Sequence, residues 1–125
     1  MIKVRDIMSR EVITSDGSIT IKEAVKILHE KHVGSIIIVD HDKRPKGIFT
    51  ERDAIRCIAV DKPLDTLLIK EMTRNVITVK NDVYLRELRA LYSSMGIRHI
   101  PVVDEDNHLE GMVNIRTIFD EILGC

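Results

Sequence analysis

The chain has 125 residues, a length that fits one domain or two very small ones and leaves little room for a catalytic domain beside a regulatory one. Hydrophobic residues make up 44% of it and charged residues 31%, the composition of a folded globular protein. The net charge of −1 gives no global positive field for nucleic acid or anionic membranes. With no Trp and 3% aromatic residues, the chain also lacks base-stacking platforms.

The cysteines and the N-terminus indicate where the protein works. Cys57 and Cys125 form no CxxC pair and have no zinc-spaced His or Cys nearby. The N-terminus lacks the apolar core of a signal peptide, and no apolar run approaches the length of about 18 residues that crosses a bilayer. The sequence therefore predicts a soluble cytoplasmic protein. Abundant Ile, Lys and Glu without Gln is typical of thermophile proteomes.

The chain contains an internal repeat with a constant offset of 64 residues, set by Met8 and Met72. No gap is needed to keep this register. The further pairs are Arg10 with Arg74, 12–14 with 76–78, Glu23 with Glu87, Ile36 with Ile100, Val39 and Asp40 with Val103 and Asp104, Asp42 with Asp106, Gly47 with Gly111, and Arg52 with Arg116. The sequence therefore predicts two repeats, 1–60 and 66–123, joined by a linker at 61–65.

Within the first repeat the periodicity predicts strand, helix, two strands and helix. Thr20 and Glu23 have the spacing of a capping box, which marks a helix start. The expected elements are a strand at 12–14, a helix from Ile21 with one apolar stripe, strands at Ser35–Val39 and 47–49, and a helix from Thr50 to about Ala59.

The second repeat predicts the same order of elements. They are a strand at 76–79, a helix with Leu85, Leu88, Tyr92 and Met95 on one face, strands at His99–Val103 and 111–113, and a helix at 115–123. A unit of about 60 residues buries too little surface to be secure alone. The expected fold class is therefore α/β (α+β), with two pseudo-symmetric β-α-β-β-α repeats packed through their sheets.

Four motifs connect the repeat to a known family. VRDIM and IKEMTRNVITV begin the repeats, IRHIPVVD forms a strand, and GIFTERD has the pattern Gly-apolar-x-Thr-x-x-Asp. Together, over residues 2–123, they resemble a tandem pair of cystathionine-β-synthase (CBS) domains, or Bateman module. The resemblance implies a regulatory module without catalytic residues that binds AMP, ADP, ATP, S-adenosylmethionine or NAD in clefts between the repeats. It also implies a homodimer, and because the repeats occupy nearly the whole chain, we expect a separate effector protein.

The resemblance also implies which residues form the better cleft. Asp53 would accept hydrogen bonds from the ribose hydroxyls, and Thr50 lies where helix amides favour a phosphate or ribose oxygen. The second repeat would supply an apolar slot for adenine and cations for phosphates. The expected ligand-binding residues are Thr50, Asp53, Ile77, Thr78, Ile97, Arg98, His99, Pro101 and Arg116.

The pseudo-symmetric cleft is expected to be weaker. Thr117 stands where Asp53 stands in the other repeat, which removes the ribose carboxylate, and Ile37 replaces Pro101. The residues expected in this second site are Ile13, Thr14, Ser35, Asn114 and Thr117.

Several of these residues also fit roles without a ligand. Thr50 and Asp53 have the spacing of a simple capping box, and His99 fits a hydrogen-bonded core histidine. His29 and His32 lie one helical turn apart, but no third ligand is spaced to complete a metal site with them. The acidic turns at 40–42 and 104–106 lack the spacing of a calcium loop, so we expect no bound metal.

Three other functional classes compete with ligand sensing. Nucleic-acid binding through Arg86, Arg89 and Arg98 would need a basic patch that the even charge distribution does not provide. An enzyme is disfavoured because no nucleophile, base and orienting group occur together. The strongest alternative is a dimeric interaction scaffold with vestigial clefts. Its apolar helical face would comprise Ile115, Ile118, Phe119 and Ile122, with Ile55 and Ile58 opposite.

Overall fold

The computed structural model describes residues 1–95 and 97–114, with the side chains of Ser94 and Met95 left out. The chain forms two three-stranded sheets with short helices, which confirms the predicted mixed α/β class. Among the described residues, no helix has both the length and the apolar character needed to span a bilayer. The elements are α1 Val4–Ile7, β1 Thr14–Ser15, α2 Ile21–Lys31, β2 Ser35–Val39, β3 Pro45–Thr50, α3 Glu51–Ala59, α4 Leu68–Glu71, β4 Val79–Lys80, a 3-10 turn Leu85–Glu87, α5 Leu88–Met95, β5 His99–Val103 and β6 Leu109–Asn114.

The two sheets have the same topology. In each, a two-residue strand pairs in parallel with a central strand, which pairs antiparallel with the third, in the orders β1-β2-β3 and β4-β5-β6. The antiparallel register shifts between Ile38 and Val39 in one sheet and between Val102 and Val103 in the other. The sequence repeat is therefore a structural repeat that includes its irregularities.

The central strands and the first long helix begin where the sequence places them. The helix α2 starts at Ile21, and the Thr20 hydroxyl accepts the Glu23 N–H at 3.1 Å. The short parallel strands were wrongly placed at 12–14 and 76–79. They are Thr14–Ser15 and Val79–Lys80, the residues that pair in parallel register with the central strands. Side-chain propensity describes a residue's preference and does not supply that partner.

Two compact units divide the chain, and their bounds differ from those of the sequence repeats. The first unit is Ile13–Val76, and the second unit is Met1–Val12 with Ile77–Cys125. Helix α1, at the start of the first repeat, packs in the second unit, which contains most of the second repeat. Helix α4, at the start of the second repeat, packs in the first unit. These two four-residue helices, α1 and α4, are too short to produce a periodic pattern, and the sequence did not predict them.

Backbone hydrogen bonds hold these short helices in place. The Leu68 N–H donates to the Ile19 carbonyl at 2.7 Å, within the first unit. In the second unit the Val4 N–H donates to the Val83 carbonyl at 2.8 Å. Leu68 and Val4 are fully buried in the cores of their units. The predicted final helix at 115–123 lies outside the described residues.

The same aspartate-centred turn closes both antiparallel pairs. Asp40 Oδ1 accepts the backbone N–H groups two and four residues further on, at 2.8 and 3.0 Å. Asp104 Oδ1 makes the corresponding two bonds at 2.9 Å. The amide four residues further on is the main cause that lowers the pKa of each aspartate. The acidic residues of these turns therefore have a structural role.

Candidate functional site

The candidate site in the first unit begins with the cap of α3. Thr50 is the N-cap residue, and its hydroxyl accepts the Asp53 N–H at 3.4 Å. In return, Asp53 Oδ2 accepts the backbone N–H of Thr50 at 2.8 Å and its O–H at 3.2 Å. The capping box that the sequence allows is therefore present, and it orients one carboxylate oxygen.

The other oxygen of this carboxylate has a partner that the sequence did not reveal. The Thr73 hydroxyl donates to Asp53 Oδ1 at 3.1 Å, and Arg56 Nη2 lies 3.7 Å from the same oxygen. Asp53 is only 9% exposed. A carboxylate is costly to bury unless hydrogen bonds or charges compensate it. Here donors from two separated segments hold both oxygens.

The cap of α2 provides an internal comparison. Thr20 and Glu23 form the same reciprocal box, but Glu23 is exposed. In the described part of the chain, its carboxylate accepts hydrogen bonds from Thr20 alone. A helix start therefore needs neither a buried carboxylate nor a donor from another segment. The burial of Asp53 and its bond from Thr73 go beyond capping.

Thr73 is held in place by the strand that leads to the cap. Its N–H donates to the Ile48 carbonyl at 2.8 Å, and the Ile48 N–H donates to the Thr73 carbonyl at 3.0 Å. Ser9 makes the equivalent pair of bonds with Met112, both at 2.9 Å. The sequence signal that could have identified Thr73 is this offset pair, because a hydroxyl residue follows the methionine in both repeats.

An ion-pair network lies beside the carboxylate. Arg56 Nη1 donates to Glu71 Oε1 at 3.1 Å, and Arg56 Nη2 donates to the Glu71 carbonyl at 3.0 Å. Lys62 Nζ lies 3.5 Å from Glu71 Oε2. The hydrogen bond from Arg56 is the main cause that holds the pKa of Glu71 below its usual value of 4.5. This network fixes the guanidinium that faces Asp53.

The Glu71 pair predicts a pH-dependent stability. Because folding lowers the pKa of Glu71, its stabilisation is complete above the unfolded-state value and is lost as the pH falls through the folded-state value. Arg56 is partly exposed, so Glu71→Gln should lower the free energy of unfolding at pH 7 by about 1 to 2 kcal/mol. Urea denaturation should show this difference shrinking below about pH 4.5. Glu30→Gln, at an exposed position of α2, is the control, and an equal difference at pH 7 and pH 3 would contradict the assignment.

In the second unit, a proline changes the hydrogen bonding at a strand edge. In the first unit the Ile37 N–H donates to the Ile13 carbonyl at 2.9 Å. Pro101 occupies the corresponding position of β5 and has no N–H. It therefore cannot make this bond to the Ile77 carbonyl. Pro101 itself is buried.

The other predicted residues of the second repeat lie near the same strand ends. Thr78 is half-buried immediately before β4, and Ile97 is half-buried before β5. Arg98 is exposed, whereas His99 opens β5 opposite Asn114 of β6. Arg116 and Thr117 lie outside the described residues.

The residues expected in the weaker site occupy matching positions. Ile13 and Thr14 lie at the start of β1, with Ile13 half-buried and Thr14 exposed. Ser35 is buried at the start of β2, opposite Thr50. The Ile13 carbonyl accepts the Ile37 N–H, a bond that Pro101 cannot supply to the Ile77 carbonyl.

Three groups that could bind a metal lie in the second acidic turn. Ligand atoms of Asp104, Asp106 and His108 lie within 4.8 Å of one another. Asp104 Oδ1 is engaged by the turn amides, and Asp104 Oδ2 lies 3.3 Å from His108 Nδ1. The first turn has the same amide bonds with Arg44 in place of His108. The proximity of these groups therefore follows from the turn.

Comparison with known proteins identifies the same family in both halves of the chain. The CBS domain model matches residues 4–60 and 68–124. A 17.7 kDa protein of Acidianus ambivalens is 31% identical over 121 residues, which are 97% of this chain and 73% of that protein. L-aspartate semialdehyde sulfurtransferase of Methanocaldococcus jannaschii is 35% identical over 116 residues, 92% of this chain but 22% of that enzyme.

Solved structures agree with the sequence comparison. The CBS domain pair of protein MJ0100, in complex with 5′-methylthioadenosine and S-adenosyl-L-methionine, has a TM-score of 0.90 and 33% identity, covering 98% of this chain and 96% of that chain. The CBS domain protein PAE2072 from Pyrobaculum aerophilum, complexed with AMP, has a TM-score of 0.88 and 25% identity, covering 99% and 100%. CBS domain pairs are regulatory modules rather than catalytic domains. The chain therefore belongs to the CBS domain family, as a tandem pair of CBS domains.

Proposed function

We propose that this chain is a regulatory sensor that binds an adenosine-containing ligand, with Asp53 as the ribose-binding carboxylate. The observation that carries the proposal is the buried carboxylate of Asp53, held by Thr50 and Thr73. Related pairs contain AMP, or S-adenosyl-L-methionine with methylthioadenosine, and all of these share an adenosine group. The candidate ligands are therefore AMP, ADP, ATP, S-adenosylmethionine and NAD.

Ribose suits the free acceptor capacity of this carboxylate. Each carboxylate oxygen can accept about two hydrogen bonds. The Thr50 N–H and O–H engage Oδ2, and the Thr73 hydroxyl engages Oδ1. About three of the four acceptor positions are therefore used, and one on Oδ1 remains. The 12% of the side chain that stays accessible allows a ribose hydroxyl to donate a charge-assisted bond there.

The residues of the second repeat are proposed to bind the remainder of the ligand. The Ile77 carbonyl would accept from the adenine amino group, since Pro101 offers it no N–H. Ile97 and Pro101 would contribute apolar contacts to the ring. Phosphate groups of the ligand are proposed to be bound by Arg98, His99 and Arg116. Thr78 is proposed to bind a ribose or phosphate oxygen.

One ligand per chain is the expected stoichiometry. In the pseudo-symmetric site Thr117 replaces the carboxylate, and the Ile13 carbonyl is occupied by the Ile37 N–H. Both the ribose acceptor and the adenine acceptor are therefore weakened there. Ile13, Thr14, Ser35, Asn114 and Thr117 remain the residues proposed for any second, weaker binding.

The test is calorimetric titration of the full chain with AMP, ATP, S-adenosylmethionine and NAD, together with thermal shift. We expect saturable binding of at least one of them at about one ligand per chain, with a higher melting temperature. No response to any of the four at millimolar concentration would overturn the proposal.

Signalling is proposed to pass through partner binding. A ligand that prefers one state of the module changes the affinity for any protein that distinguishes the same states.

A homodimer is proposed as well, because Ile55 and Ile58 of α3 are 68% and 59% exposed. This exposed pair also supports the second candidate, a dimeric scaffold with vestigial clefts. An oligomer in sedimentation whose melting temperature does not respond to nucleotides would favour the scaffold, whereas a monomer would contradict it.

A further inference from the structure

We infer that Thr73 is a positioning residue for the ribose site: its hydroxyl sets the orientation of the Asp53 carboxylate without being part of the Thr-x-x-Asp motif. The inference rests on the proposed function, since it concerns how the same carboxylate is presented to ribose. Thr73 lies 20 residues after Asp53, and within the second match to the CBS model. The first segment of the second repeat would thus orient the ribose-binding carboxylate of the first repeat.

The contacts of Asp53 explain why this hydroxyl matters. The cap bonds from Thr50 engage Oδ2 and do not reach Oδ1. The Thr73 hydroxyl, at 3.1 Å from Oδ1, sets the plane of the group. Fixing both oxygens determines where the remaining lone pair of Oδ1 points, and a ribose hydroxyl must donate along that direction.

Arg56 is the charged neighbour of Oδ1 in the described part of the chain. Its Nη2 is 3.7 Å from that oxygen and already donates to the Glu71 carbonyl at 3.0 Å. A hydrogen bond within this ion pair would therefore require the carboxylate to turn toward the guanidinium. That rotation removes the alignment with a ribose. The Thr73 hydroxyl thus opposes the electrostatic attraction of the Arg56 guanidinium for the carboxylate.

The backbone around Thr73 gives its hydroxyl a fixed position. Thr73 exchanges two backbone bonds with Ile48, in the strand that ends at Thr50. The preceding Met72 is buried against Gly47, where an added Cβ would collide with the methionine sulfur. Both hydroxyls that hold Asp53 are therefore anchored to β3, so they keep a constant spacing.

The experiment is a double-mutant cycle with AMP binding measured by calorimetry. Thr73→Val keeps the β-branched shape and should weaken AMP binding about 5- to 10-fold, the size of one typical net hydrogen bond. Thr73→Ser restores the hydroxyl and should bind within about twofold of wild type. In an Asp53→Ala background, which removes the acceptor, Thr73→Val should change the affinity by less than about twofold, because its effect passes through the carboxylate.

Controls separate this inference from the proposed function. Ser9→Ala removes the hydroxyl at the offset position, where Thr117 replaces the carboxylate, and should leave AMP binding unchanged. If Thr73→Val does not fold, Thr73→Ala completes the same cycle. Equal AMP binding by wild type and Thr73→Val, or an equal loss in the Asp53→Ala background, overturns the inference alone. Failure of wild type to bind any adenosine ligand overturns both.

Discussion

Replacing Asp53 with alanine should weaken binding of the adenosine ligand by about 10- to 100-fold, because the charge-assisted hydrogen bond to the ribose is lost. The same change also removes half of the capping box of α3. We therefore expect the free energy of unfolding to fall by about 1 kcal/mol as well. Calorimetric titration and urea denaturation of the same variant measure the two effects separately.

Two matched variants show whether the carboxylate itself is responsible. Glu23→Ala removes the corresponding half of the α2 box, so it should cost a similar stability but leave ligand binding unchanged. Thr117→Ala changes the corresponding position of the weaker site and should alter the affinity by less than about twofold. A comparable loss of binding in either variant would contradict the role assigned to Asp53.

Replacing Leu68 with alanine should destabilise the first unit by about 2 to 5 kcal/mol, the usual cost of emptying a buried leucine site. Leu68 is fully buried in the cluster that contains Ile36 and Phe49, although the CBS model assigns it to the second repeat. Hydrogen exchange of the variant should accelerate among the described residues of Ile13–Val76.

The neighbouring residue provides the control for this prediction. Leu67 is 40% exposed, so Leu67→Ala should change the free energy of unfolding by less than about 0.5 kcal/mol. Acceleration of exchange confined to the described residues from Ile77 onward would mean that α4 stabilises the other unit. That result would contradict the exchange of leading helices between the repeats.

The sequence by itself determined the repeat, the fold class and the longer elements. Constant offset is visible without any structure, and it also predicts that the two sheets share one topology. Helix α2 and strands β2 and β5 follow from periodicity and cap chemistry, which act over a few neighbouring residues. The capping box of Thr50 and Asp53 is local in the same sense.

Only the tertiary structure decided the features that depend on residues distant in the sequence. The bounds of β1 and β4 depend on partners more than 20 residues away, and the short helices α1 and α4 depend on the unit they join. The bond from Thr73 to Asp53 joins residues 20 positions apart. A capping box can be read from spacing because its partners are neighbours. Burial of its carboxylate and a third donor require the folded chain, and these two properties separate Asp53 from an ordinary helix cap.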